Sequence, residues 1–282
     1  MPDIMVPLYL HMEACVTQEN MNANLDATIK RGYSGIEAML GAHIGECSIV
    51  GSGPSLAETW PQLRGDVLAV NQAIGYLISK GVAPKYAMLW DADAVVAEFA
   101  VPHPGVTYLV AARCHPAVFE RLQGCDVRVW FAGGDHNISD YVKRRAIKDP
   151  LIYGGSAGVT RAMYFASALG YKKMNLFGAD SSFSGDRSHI IKSMAKEKEI
   201  FVCVGDDMSA PEFRTTPELS AQVNEFREIY TIFCHPEVGI EVDVFGTGML
   251  PAMYRAMKEK RLAGRIWNPD GTPYVERQLE AA

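Results

Sequence analysis

Residues 49–60 read IVGSGPSLAETW. A short β-branched run, Cys47–Val50, stops at Gly51-Ser52-Gly53-Pro54-Ser55, and a helical pattern opens directly behind it. A strand that turns through glycines into a helix is the opening unit of a parallel α/β sheet. The glycines let the chain turn sharply and let a ligand approach the backbone. Pro54 suits a first helical turn, and Ser55 with Glu58 has the spacing of a capping box. Free N–H groups at such a turn, with a helix dipole behind them, form an anion site. The stretch lacks the Gly-Lys-Ser/Thr of a P-loop and the third glycine of a dinucleotide fingerprint, so a plain strand-to-helix turn is the rival reading.

Working outward, the same alternation continues. Strand-like runs at 47–50, 67–70, 86–90, 107–111, 127–131, 173–177, 200–204 and 240–245 are separated by helical patterns at 55–63, 72–80, 94–99, 116–122, 138–146, 156–169 and 217–233. That order predicts an α/β, Rossmann-like fold: a mostly parallel sheet with helices on both faces. Glu19–Arg31 reads as a polar helix, so residues 1–45 form a partly helical N-terminal arm. Residues 46–262 form the Rossmann-like domain, with a helix over Pro251–Leu262, and the turn-rich 263–282 is a peripheral tail. The mixed-charge run at 194–199 reads as a solvated face.

Composition narrows the class. Of the 282 residues, 48% are hydrophobic, enough for a large core, and the net charge is −6. An acidic balance argues against a broad duplex-nucleic-acid face. The six cysteines are scattered, without a C-x-x-C pair, as in reduced proteins. No run reaches the roughly 18 apolar residues of a membrane span, and the N-terminus lacks a basic signal-peptide start. The expectation is a soluble, cytoplasmic protein, with self-association left open.

Ligands of open α/β sheets bind beyond the carboxyl ends of the strands, and polar groups collect there. Asn71-Gln72 follow the second strand, placed to cap a helix or to bond a ribose, base or phosphate. Asp91-Ala92-Asp93 follows the third, with two hard ligands for Mg²⁺ if both carboxylates share a side; the rival is that Asp93 caps the next helix. Gly133-Gly134-Asp135-His136-Asn137 forms a flexible polar turn. Gly154-Gly155-Ser156 before the 156–169 helix makes a second anion-binding N-terminus, with Ser156 as cap and Thr160 or Arg161 within reach. Asp180 then leads into a polar loop holding Asp186 and His189; a histidine there suits a general acid or base, oriented by Asp180 or Asp186. No zinc-ligand spacing and no G-x-S-x-G elbow occurs.

The ordered motifs IVGSGPSL, VLAVNQAIGYLISKGVAPKYAMLWDAD, FAGGDHN and GGSAGVTRAMYFASALGYKKMNLFGADSSFSGDRSHI resemble the MptE-like superfamily over roughly residues 20 to 255. That group includes 6-hydroxymethyl-dihydropterin diphosphokinases and the motility-accessory-factor glycosyltransferases, and similar short proteins occur in phage and prophage genomes. The diphosphokinase branch implies ATP, Mg²⁺ on Asp91 and Asp93, and diphosphate transfer to a hydroxymethylpterin-like acceptor. This sequence departs from it at Asn71, where an acid is usual, and in Gly155-Ser156-Ala157-Gly158. The glycosyltransferase branch resembles CMP-sialic-acid sialyltransferases in Gly53-Pro54-Ser55-Leu56 and Asn71-Gln72. It implies a nucleotide-activated, CMP-nonulosonate-like donor held by Gly51, Ser52, Gly53 and Asn71, a small-molecule or glycan acceptor, and His189 deprotonating the acceptor or protonating the leaving phosphate. A nucleotide-binding protein without catalysis is the third reading.

Overall fold

The computed structural model describes residues 16–134, 136–191, 199–205, 210–262, 266–267 and 273–274. The first part of the arm, most of the 194–199 run, most of the tail and Asp135 lie outside the described residues.

Eight strands form the central sheet: β1 Glu46–Val50, β2 Asp66–Val70, β3 Tyr86–Leu89, β4 Thr107–Ala111, β5 Asp126–Ala132, β6 Leu151–Ile152, β7 Lys173–Phe177 and β10 Glu241–Val244. Their spatial order is β10-β7-β1-β2-β3-β4-β5-β6, and every neighbouring pair is parallel. All four residues of β3 and the last four of β1 and β4 are buried. Successive side chains on a strand face opposite ways, so both faces of the sheet are covered. Burying each Leu, Ile or Val of this core stabilises the fold by roughly 1.5–3 kcal/mol.

The helices are α1 Gln18–Arg31, α2 Leu56–Thr59, α3 Gln72–Ser79, α4 Pro116–Arg121, α5 His136–Arg144, α6 Gly158–Leu169, α7 Pro217–Phe233 and α8 Met249–Leu262. α1 is polar overall, yet Met21, Asn24, Leu25 and Thr28 repeat at helical spacing and are buried. Thr17 caps its start, and Gly32, at φ 65°, closes it. The buried Asn24 Nδ2 donates to the carbonyls of Ala92 (3.2 Å) and Arg113 (3.0 Å). α1 is thereby fastened to the loops after β3 and β4.

One expectation needs correction, and one strand is new. The 200–204 run does not join the sheet: β8 Ile200–Cys203 pairs antiparallel with β9 Glu212–Thr215 as a separate hairpin. Its alternating half-buried and exposed residues mark a surface ribbon. β6, only two residues long, has too little pattern to be read from sequence.

The chain winds outward from β1 to β6, then returns to place β7 on the other side of β1. This reversal opens a crevice at the carboxyl edge, between the loops after β1 and β7. There the two backbones nearly touch. Gly51 N–H donates to Phe177 O (2.8 Å) and Gly53 N–H to Gly178 O (2.7 Å). A Cβ on Gly51 would stand 2.5 Å from Gly178 O, so no larger residue fits.

Candidate functional site

A cleft of about 300 Å³ lies at that reversal. Its walls come from the loops after β1, β2, β3 and β7, the first turn of α6, the 188–189 segment and the first half of α7. Of the residues singled out in the sequence, Gly51, Ser52, Gly53, Asn71, Gln72, Asp91, Ser156, Thr160, Asp180 and His189 line it. Pro54, Ser55, Asp93, Gly133, Gly154, Gly155 and Asp186 do not. Asn137 is described only as a position in the first turn of α5.

The Gly51–Ser55 loop is more buttress than cradle. Gly51 and Gly53 spend their N–H groups on the β7 loop. Ser55 N–H donates to Asp180 Oδ2 (2.6 Å), and Ser55 Oγ donates to Asp180 Oδ1. The expected capping box is therefore absent: Ser55 makes no side-chain cap bond, because a carboxylate 125 residues away takes its hydroxyl. Since Pro54 has no N–H, Ser52, which lines the cleft, holds the loop's remaining donors, its N–H and hydroxyl. The Ser52 carbonyl accepts from Ile190 N–H (2.6 Å), which lays the His189 segment over the loop.

The α6 start has the opposite character. Its first helical hydrogen bond runs from Arg161 N–H to Ala157 O, so the N–H groups of Gly158, Val159 and Thr160 have no partner in the helix. Those residues line the cleft. Ser156 is not the cap; Ala157 occupies that position without a side-chain bond. Ser156 N–H instead donates to both oxygens of Glu225 on α7 (2.9 and 3.0 Å), and Thr160 Oγ donates to Glu225 Oε2 (3.1 Å). Gly155 leaves room for that carboxylate, whose Oε2 would stand 2.5 Å from a Cβ there. Gly133 serves β5: its carbonyl, with that of Ile152, accepts from buried Arg161 at 3.0 Å. A Cβ on Gly154 (φ 137°) would strike the Tyr164 ring.

Asn71 stands at φ 50°, ψ −122°, a backbone region suited to glycine, and makes no cap bond. Its Oδ1 is buried without a hydrogen-bond partner. Among the described residues three non-glycines have positive φ, and two of them, Asn71 and Ser181 (φ 51°), line the cleft. Strain held at one cleft is a mark of function.

The two acids of the Asp-x-Asp motif do not share a cavity. Asp91 lines the cleft, whereas Asp93 lines a separate groove beside α1 and His115. Asp93 Oδ1 accepts from Val95 N–H (2.8 Å), capping the 3-10 turn Ala94–Phe99. The residues present do not fit a Mg²⁺ ion gripped by both. Among the described residues no cluster of three His, Cys, Asp or Glu side chains could hold a metal.

His189 belongs to the cleft, but neither acid orients it. Asp180 is committed to Ser55, and burial pushes its carboxyl up from the ordinary range. Asp186 is fully solvent-exposed beside Arg214 (3.4 Å). The partner of His189 Nδ1 is Ser188 Oγ, at 2.9 Å. Burial pulls the imidazole down to about 4, so at neutral pH it is uncharged. A neutral imidazole accepts a proton on its bare nitrogen, and its remaining N–H is too weakly acidic to serve as a general acid. Trp90 and Gln222 complete the walls from the loop after β3 and from α7, while Glu225 braces the turn before α6 through Ser156; no local pattern marks these three in the sequence.

The family model described as 6-hydroxymethylpterin diphosphokinase MptE-like matches residues 19–186. No curated protein sequence matches the chain. Among solved structures, the MAf glycosyltransferase from Magnetospirillum magneticum AMB-1 is similar at 16% identity with a TM-score of 0.55. That match covers 89% of this chain and 43% of the other, so this chain spans less than half of it and shares its fold. A mammalian sialyltransferase, crystallised with Gal-beta-1-3GalNAc-ortho-nitrophenol, aligns at 13% identity and a TM-score of 0.35 over 86% of this chain and 90% of that one. Among the described residues no helix is long and apolar enough to cross a membrane.

Proposed function

The chain belongs to the MptE-like family, and from that premise we propose that it is a nucleotide-dependent group transferase that moves a sugar from a nucleotide-activated donor to a hydroxyl acceptor. The observation that carries the reading is the convergence, in one cleft at the sheet's reversal point, of unpaired α6 N–H groups, the Ser52 donors, strained Asn71 and neutral His189. The N–H groups stabilise the negative charge that grows on the phosphate as it leaves the sugar carbon. The acceptor oxygen forms the new bond to that carbon, and its proton passes to His189 Nε2, the ring nitrogen not paired with Ser188. Diphosphate transfer to a hydroxymethylpterin-like acceptor, in keeping with the family's description as a 6-hydroxymethylpterin diphosphokinase, is the second reading. The separation of Asp91 from Asp93 weighs against it, since phosphoryl transfer relies on metal-held phosphates.

Thermal shift against CMP, a CMP-sugar, UDP-sugars and ATP with and without Mg²⁺ tests this, because ligands that prefer the native state raise Tm. Stabilisation by CMP or a CMP-sugar is expected, followed by CMP release in the presence of acceptor. Stabilisation confined to ATP with Mg²⁺ would replace the reading with the kinase. Binding without turnover of any donor would leave a nucleotide-binding protein.

A further inference from the structure

We propose that the indole N–H of Trp90 is a binding donor for a phosphate oxygen in the cleft. The inference rests on the reading of this cleft as a phosphate-containing ligand's site. Trp90 follows β3 and lines the cleft. Its Nε1 lies 3.7 Å from the point that a Cβ on Gly158 would occupy, and Asn71 Nδ2 lies 3.8 Å from the same point. The indole edge therefore stands beside the first residue of α6, where the helix presents its unpaired N–H groups. Among the described residues no acceptor takes the indole proton.

Charge supports the placement. Among the described residues no lysine or arginine lines the cleft. Two positive charges lie against the tryptophan ring: Arg113 Cζ is 4.7 Å and Arg161 Cζ 5.1 Å from its centroid. Arg113 is mostly buried, its Nε lacks a partner, and Asp91 is 3.9 Å from its Nη2. Cations against the π system draw electron density from the ring and make the N–H at its edge more positive. Trp90 thus relays the charge of two guanidiniums that do not themselves line the cleft.

Nitrogen-labelled protein has one indole N–H signal for each of its four tryptophans. The signal missing from Trp90→Phe should move downfield on titration with inorganic phosphate and with CMP, while the other three stay. Trp90→Phe should bind CMP at least about tenfold more weakly, as expected for a lost hydrogen bond to a charged group. Should that variant fail to fold, 3-benzothienylalanine keeps the ring shape and replaces the N–H with sulfur. CMP binding with an unmoved Trp90 signal, or equal affinity without the N–H, overturns the proposal and leaves the transferase reading standing. A phosphate response without any nucleotide binding does the reverse. No response to either probe overturns both.

Discussion

Asp180 grips Ser55 twice, accepting from its N–H at 2.6 Å and from its hydroxyl, and so joins the loop after β1 to the end of β7. The pair is packed about by glycines. A Cβ on Gly53 would stand 2.7 Å from Asp180 Cγ, and one on Gly248 would stand 2.5 Å from Asp180 Cα. The cleft owes its shape to this joint, because the two loops it ties form one wall.

Asp180 is only 4% exposed, and desolvation outweighs its two hydrogen bonds, raising its pKa. A carboxyl whose folded pKa lies above its unfolded value gives stability that is complete below the unfolded value and fades as pH rises through the folded one. Asp180→Asn, neutral at every pH, removes that slope. Melting curves from about pH 3 to pH 7 should show wild type losing ground to Asp180→Asn as pH rises. A constant difference would mean that Asp180 keeps an ordinary pKa.

A glycine packed on the joint should tolerate a methyl less well than one in open space. Gly248→Ala forces a methyl against the Asp180 backbone and should cost roughly 1–3 kcal/mol, with loss of ligand binding. Gly134, at φ 87°, has nothing within 4 Å of its Cβ position, so its alanine variant carries only the backbone penalty, about 1 kcal/mol. Urea unfolding of both variants checks the order. Equal losses would show that the packing around Asp180 yields.

The parallel sheet was legible because its strands are buried on both faces and read as continuous apolar runs, bounded by glycines. The 200–204 run has the same composition but only one half-buried side, and residue type alone does not reveal which strand it will pair with. The strand-end residues pointed to the right edge of the sheet, yet not to their own roles. Local spacing marks Ser55 and Ser156 as caps, but the N–H and hydroxyl of Ser55 go to Asp180 and the N–H of Ser156 to Glu225, both far along the chain. Glu225 sits on a long helix among surface-type residues, so nothing nearby in sequence marks it. In sequence Trp90 is only the end of a strand; its two arginines come from 23 and 71 positions away.

Asn71 carries strain that glycine would not. Its φ of 50° with ψ −122° costs a non-glycine residue about 1–3 kcal/mol, against roughly 0.5–1 kcal/mol of extra chain entropy for glycine. Asn71→Gly should therefore raise stability by about 1 kcal/mol while weakening nucleotide binding. Calorimetry on the same sample gives both numbers. A variant that is less stable and still binds fully would remove Asn71 from the site.

Glu225 holds the turn that precedes α6, through Ser156 N–H and Thr160 Oγ. Glu225→Ala leaves Ser156 N–H unanswered, while the Thr160 hydroxyl keeps the Ala157 carbonyl at 3.0 Å, and should cost about 1–3 kcal/mol. Glu225→Gln keeps an acceptor oxygen and should recover part of that loss. Hydrogen exchange at Ser156 reports the contact directly: protection should fall in the alanine variant and persist in the glutamine one. Unchanged exchange in both would show that the turn stands without Glu225.

His189 yields a prediction in both stability and rate. Burial lowers its pKa to about 4 from an ordinary 6.5, so the folded protein favours the neutral ring. A group with a depressed folded pKa gives stability that is present above the unfolded value and is lost as pH falls toward the folded one. Wild type should therefore lose stability relative to His189→Gln between pH 6.5 and pH 4. The same neutral ring is competent as a base throughout the neutral range, so the acid limb of kcat/KM should fall near pH 4. His189→Gln should lower kcat by about 10²–10⁴-fold, the usual span for a lost general base, and leave donor binding close to wild type. An acid limb near pH 6.5 that disappears in His189→Gln would show that the histidine titrates as an exposed group. An unchanged kcat would assign the proton to another acceptor.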